Sequence, residues 1–258
     1  MTIQKIFLIC AIAGLALTVL FGVILKKREG SWLMLFLQQF AGAFFIFSGI
    51  VKAVDPYGTA YKMEQYFDEF FYTFEPTWFS FLAPIFPWFS NYSVVFSVVM
   101  IVFEIVLGVM LITGTQRKLT AWLFFGLVAF FTFLTGFTYL TGYVPDGGSF
   151  FNFSSWTAYN PNNMKVTDCG CFGDFLKLEP KTSFLKDIAL LFPAIYFLLR
   201  PGDMHQWFSK TVRNAIVILS TLGMLVYSWS NFVWDLPHED FRPFKIGTDV
   251  YTIREQEE

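Results

Sequence analysis

Two of the three cysteines in this chain stand one residue apart, in Asp168-Cys169-Gly170-Cys171-Phe172-Gly173-Asp174-Phe175. A thiolate is the nucleophile and the metal ligand in cysteine chemistry, and two adjacent thiols carry two electrons by closing and opening a disulfide. A disulfide across a single residue forces unusual backbone geometry, which Gly170 tolerates. Strained and exposed disulfides are oxidising and labile, the kind used in exchange. The flanking Asp168 and Asp174 pull the other way, because nearby negative charge raises a thiol pKa and slows attack by the thiolate. The plainer alternative is a disulfide that only pins its loop. A structural zinc site wants four ligands, and the pair with His238 offers three, so no metal is expected. A relay of two cysteine pairs cannot be built from three cysteines. Electrons must therefore pass directly between Cys169 and Cys171 and a partner or cofactor, unless Cys10 joins them in a three-thiol shuttle. Cys10 lies in an apolar run and reads first as a small packing residue.

The remaining candidates are polar residues inside apolar runs. Glu104 stands about ten residues from either end of its run, where an ionised and unpaired acid costs several kcal/mol and is a functional hypothesis by default. Gln38 and Gln39 lie at comparable depth in the preceding run and are its expected partners, either as a polar clamp or around a proton-handling, quinone-contacting group. Replacing Glu104 by Gln is expected to lower turnover and leave folding intact if the acid handles protons. Lys52, near the end of that run, either snorkels to the interface or pairs with Asp187, expected in the first turn of a later helix where the dipole favours an acid. Ser183 is the expected N-cap of that helix.

These residues need a membrane scaffold to position them. Of 258 residues 55% are hydrophobic and 35 are Phe, and the mean hydropathy of +0.52 is too high for a soluble domain. The net charge of -2 supplies no basic field for nucleic acid. A spanning helix needs about 20 apolar residues, and six stretches approach or exceed that: 3–25, 32–54, 92–114, 119–141, 184–200 and 212–233. The first reads as a span rather than a cleaved signal, since its basic cluster follows the apolar run. The fold class is all-α, a polytopic membrane helical bundle. Lys26, Lys27, Arg28, Arg117, Lys118, Arg200, Lys210 and Arg213 fall in alternate connections, against the acids Glu29 and Asp203. The positive-inside rule makes those connections cytoplasmic, so both termini and the cysteine loop at 142–183 lie outside. Residues 57–90, broken by Pro76, Pro84 and Pro87, carry Tyr66, Phe67, Phe70, Phe71 and Phe74 at helical spacing. They suggest a short interfacial helix forming a lid over the outer mouth.

Ser48-Gly49-Ile50-Val51-Lys52 followed by Asp55-Pro56, then Glu104 with Gly108 and Gly114, resemble the pattern of the DoxX/DoxD membrane proteins. Cys169-Gly170-Cys171-Phe172-Gly173 is similar to the motif of the related methylamine-utilisation protein MauE. The resemblance implies a four-helix core over 32–200, with an added helix in 1–31 and a sixth helix and acidic tail in 201–258. It also implies a bacterial inner membrane and a role in disulfide formation or quinone-linked sulfur oxidation. On this reading Cys169, Cys171 and Glu104 are catalytic, and Gln38, Gln39, Lys52 and Asp187 surround a quinone. The partners are the lipid bilayer and an external thioredoxin-like or client protein. The rival is a non-enzymatic subunit of a larger membrane complex, in which a structural disulfide pins an external docking loop.

Overall fold

The computed structural model describes residues 2–24 and 31–231. The basic cluster Lys26-Lys27-Arg28 and the acidic tail with His238 lie outside the described residues. The described residues are all-helical in architecture, and among them are six helices long and apolar enough to cross a membrane. They are α1 (Ile3–Val19, continued as a π-turn through Leu20–Ile24), α2 (Trp32–Val54), α5 (Ser93–Thr113), α6 (Arg117–Thr141), α7 (Pro180–Leu199) and α8 (Lys210–Ser230). Two further helices, α3 (Pro56–Phe74) and α4 (Ile85–Asn91), lie between α2 and α5. This is a multi-pass membrane protein.

Local chemistry explains where these helices begin and end. Ser31 caps α2, its Oγ accepting from the Met34 N–H at 3.1 Å. Pro56 disfavours helical geometry at Asp55, and Asp55 then caps α3 by accepting from the Gly58 N–H at 3.3 Å. One Asp-Pro step thus turns a spanning helix into a roof helix. Gly114, at φ 70°, closes α5 in the left-handed conformation that a side chain disfavours. The short turn that follows starts α6 at Arg117.

α2 packs chiefly on α5 and α6 on α7, with α1 against α2 and α8 against α5. Glycine makes the first of these contacts close: a Cβ on Gly42 of α2 would meet the Gly108 carbonyl oxygen of α5 at 2.9 Å, and one on Gly108 would meet that of Gly42 at 2.7 Å. Small residues of this kind let helix backbones approach where no aqueous hydrophobic effect drives them together.

Gln38 and Gln39 belong to this framework, not to Glu104 as the sequence suggested. The Gln38 side-chain amide donates to the carbonyls of Leu111 (2.7 Å) and His205 (2.9 Å), and its oxygen accepts from the His205 N–H at 2.9 Å. Gln39 donates to the Ile112 carbonyl at 3.2 Å. Gln38 thus fastens the α7–α8 connection to α2 and α5, and Gln39 adds a second tie between α2 and α5. At the same end Trp207 stacks on Phe21 of α1 at 4.2 Å between ring centroids, and Arg117 reaches the Gly202 carbonyl at 3.1 Å.

The opposite end carries α3, α4 and the cysteine loop. The expected interfacial helix is a 19-residue element, and its aromatic side is turned into the protein. Phe70 packs on Phe137 of α6 at 4.9 Å, and Phe67 on Phe89 of α4 at 5.5 Å. The helix roofs the bundle because its aromatic rings bury more area against α4, α5 and α6 than on a wet interface.

Candidate functional site

The cysteine motif is a tight turn that glycine makes possible. Gly170 and Gly173 have φ of 61° and 54°, in the left-handed region that L side chains rarely adopt. A Cβ on Gly170 would also lie 2.5 Å from Cγ of Lys62, whose stem covers the turn. The Asp168 carboxylate accepts from the Gly170 N–H at 3.0 Å and pairs with Lys62 Nζ at 3.1 Å, tying the motif to α3. Phe172 is fully buried between Phe44 and Phe47 of α2, at 5.7 and 6.3 Å between centroids. It anchors a polar turn in an apolar bundle.

Both cysteines of the motif are partly buried free thiols. Cys169 Sγ accepts from the Ser183 hydroxyl at 3.0 Å and from the Cys171 N–H at 3.3 Å. Burial pushes the Cys169 thiol up, but the hydrogen bond from the Cys171 thiol, the Lys186 ammonium and the Ser183 hydroxyl outweigh it, and its pKa falls to about 7. Cys171 moves well above its ordinary value, through its hydrogen bond to Cys169 and through burial. The sequence had suggested that Asp168 and Asp174 would suppress the thiolate. Instead Asp168 is neutralised by Lys62, Asp174 stands 3.8 Å from Lys177, and a lysine faces the sulfurs.

Ser183 is not the N-cap of α7. The helix begins three residues earlier at Pro180, which suits the first helical position because its missing N–H has no helical partner there. That shift puts Ser183 in the first turn, turned toward Cys169, and Lys186 one turn further along the same face.

Two buried ion pairs lie beneath the motif. Lys52 pairs with Glu104, not with Asp187, and Lys186 pairs with Asp187. Glu104 Oε2 also lies 3.1 Å from Ser48 Oγ, which is 2.9 Å from the Cys171 carbonyl oxygen; the single hydroxyl proton serves either acceptor. Asp187 accepts from the Thr135 hydroxyl at 3.0 Å. All four ionisable groups are buried, and in a spanning segment such charges persist only when paired and hydrogen-bonded.

A cavity of about 380 Å³ joins the cysteines to the Lys52–Glu104 pair. Its roof is α3 and α4, its sides are α5 and α6, and Lys52, Glu104, Cys169 and Cys171 border it. The remaining lining is chiefly aromatic, including Phe103, Phe131 and Tyr66. The gap exists because α5 leans on α2 and α6 on α7, leaving little contact between α5 and α6 beyond their turn. Val99 and Phe130, which also line it, are 58% and 46% exposed on the faces that α5 and α6 turn outward. The cavity therefore borders the lipid side of the bundle. The Tyr66 hydroxyl accepts from Thr138 at 3.0 Å, and burial, with the neighbouring Cys169 charge, pushes that phenol well above its ordinary pKa, so it stays protonated.

Of the residues singled out in the sequence, Cys169, Cys171, Glu104 and Lys52 meet at this cavity. Gln38 and Gln39 do not line it, Asp187 sits behind the motif with Lys186, and Cys10 is buried in α1. Among the described residues no group of three or more His, Cys, Asp or Glu is close enough to hold a metal ion. Sequence reasoning passed over Lys62, Tyr66, Ser183 and Lys186 as site residues. Only Lys186 carried a signal, as a second charge beside Asp187 in an apolar helix.

Residues 30–151 match the family model of methylamine utilisation protein MauE. The matched region runs from α2 through α6 and ends before the cysteine motif. No curated protein and no solved structure matches the chain.

Proposed function

We propose that this MauE-like membrane protein is a thiol–disulfide oxidoreductase that moves electrons between an external thioredoxin-like or client protein and membrane quinone. One observation carries the reading: the Cys169–Cys171 pair borders the same aromatic, lipid-side cavity as Lys52 and Glu104. In the oxidising direction a client dithiol becomes a disulfide and the pair is reduced to two thiols. Closing the pair again requires an acceptor of two electrons and two protons, the chemistry that a quinone bound in the cavity would supply.

The cavity suits a flat, weakly polar ring. Its volume is within the range of small-molecule sites, Phe103, Phe131, Met63 and Met100 supply apolar walls, and Lys52, Lys62 and Tyr66 supply polar hydrogen donors at its edge. Glu104 holds the Lys52 ammonium at that edge. The quinone-contacting group is therefore Lys52, Glu104, Lys62 and Tyr66, in place of Gln38, Gln39 and Asp187.

The test is the redox state of the pair in cells, read by thiol trapping and a gel shift. Quinone depletion is expected to raise the reduced fraction of the pair. A pair that stays fully oxidised in every condition favours the rival reading, a structural disulfide in a non-enzymatic subunit.

The same reading sets the site on the outer side of a bacterial inner membrane, with both termini on that side. Arg117, Lys118, Arg200, Lys210 and Arg213 share the end of the bundle opposite the cysteines, which supports it. In a chain otherwise free of cysteine, Asn162→Cys should react with a membrane-impermeant maleimide in intact cells, and Lys210→Cys only after permeabilisation. The reverse pattern inverts the topology and removes the external client.

A further inference from the structure

The two cysteines are chemically unequal, and the inequality is built by α7. Cys169 Sγ accepts hydrogen bonds from the Ser183 hydroxyl at 3.0 Å and the Cys171 N–H at 3.3 Å, in addition to the Cys171 thiol. Ser183 is fully buried in the first turn of α7, so its hydroxyl has no water to choose in place of the sulfur. Lys186, on the same helical face and fixed by Asp187, faces both sulfurs, so its charge does not separate them; the hydrogen bonds to Cys169 do. Donors converging on a sulfur stabilise the thiolate over the thiol, because they gain most from the full negative charge.

We propose that Cys169 is the standing thiolate of the pair, and that Ser183 is the positioning residue that keeps its negative charge on that sulfur. The use of this arrangement in exchange rests on the oxidoreductase reading above; the inequality itself does not.

The assignment fixes the order of bond changes. When a client thiolate opens the Cys169–Cys171 disulfide, it attacks Cys171 Sγ, the client–Cys171 bond forms and the bond to Cys169 breaks. Cys169 leaves as the thiolate held by Ser183, since the sulfur of lower pKa is the better leaving group. The second client thiol loses its proton and attacks the client sulfur of that mixed disulfide. The client disulfide forms, and Cys171 departs with the electron pair and takes up a proton. In the reverse direction the same mixed disulfide is crossed backwards: Cys171 loses its proton and attacks the client disulfide, and the Cys169 thiolate then attacks Cys171 Sγ, re-forming the pair's disulfide and releasing the client thiol.

Alkylation of the reduced full-length protein tests the inequality without any quinone or client. A substoichiometric pulse of iodoacetamide at pH 7, followed by fragmentation of the peptide that carries both cysteines, should find Cys169 modified at least several-fold more than Cys171. Both thiols border one cavity, so a small uncharged reagent is offered to them together. Ser183→Ala should raise the pH midpoint of Cys169 alkylation and slow the reaction several-fold at pH 7, since losing a donor to the thiolate raises the thiol pKa. Ser183→Thr, which keeps the hydroxyl, should lie nearer the wild type. Equal modification of the two sulfurs, or faster modification of Cys171, overturns the proposal, as does an unmoved midpoint in Ser183→Ala. A biased pulse in a protein whose redox state ignores quinone would sink the oxidoreductase reading and leave this inference standing.

Discussion

Glu104→Leu is expected to destabilise the folded protein by about 3–5 kcal/mol, because it leaves the Lys52 ammonium buried with no counter-charge. Lys52→Met alone should cost a similar amount by stranding the carboxylate. Joining the two substitutions should recover most of the loss, since replacing a whole buried ion pair by apolar groups of similar size is often neutral or stabilising. Thermal unfolding of the purified protein in detergent, run on both single variants and the double, gives the coupling energy directly. Additive losses would mean that the two groups do not share their burial cost.

The pairing also revises Glu104→Gln. Read from the sequence alone, Gln was a shape-preserving replacement that spares folding. Opposite Lys52 it removes the carboxylate paired with that ammonium, so it too should lower stability. Activity is therefore best compared after normalising to folded protein. A fall per folded molecule in Glu104→Gln assigns the pair a part in proton handling at the cavity.

Cys169→Ser and Cys171→Ser are each expected to abolish client disulfide formation, a fall on the order of 100-fold or more. Each single should lose as much as the double, as groups that act as one unit do. Stability should hardly change. If the pair were a loop pin, closing a ring of three residues would constrain the unfolded chain by only about 1.6 kcal/mol on the chain-entropy account. The bond would tie nothing together beyond its own turn, which Phe172 and the Lys62–Asp168 pair already hold. The measurements are client redox state in cells and unfolding temperature of the purified variants. Near-normal client oxidation in either serine variant would leave the subunit reading as the better one.

Spans, order and ends of the helices were legible because the hydrocarbon core imposes a length and a composition that nothing else in a chain imitates. The stretches 32–54 and 92–114 correspond to α2 and α5 almost residue for residue. The one material slip at a helix start came at α7, where Ser183 competed with Pro180 as the start signal. A shift of four residues, from Ser183 to Glu179 as the cap, was enough to hide the contact between Ser183 and Cys169. The cysteine turn was legible in part, since Gly170 between the two thiols marks backbone of unusual geometry, whereas the left-handed Gly173 was not read.

Depth in the membrane is a one-dimensional quantity, and sequence position determines it. That is how Glu104, Lys52, Gln38 and Asp187 were recognised as costly residues needing partners. Which partner each one found depends on the rotation of every helix about its axis and on its neighbours, and no count of apolar residues carries that. Gly42 against Gly108 sets α2 on α5, and the residues on their facing sides follow: Lys52 and Ser48 meet Glu104, Gln38 turns to the α7–α8 connection, and Gln39 bonds the end of α5. The same packing draws α5 away from α6 and opens the aromatic cavity that the cysteines border. The sequence by itself determined a six-span helical membrane protein with a two-thiol turn at one end. The tertiary structure alone decided that the turn rests on two buried ion pairs beside a lipid-side cavity, because helix rotation is settled by close contact between faces and not by the composition of any one of them.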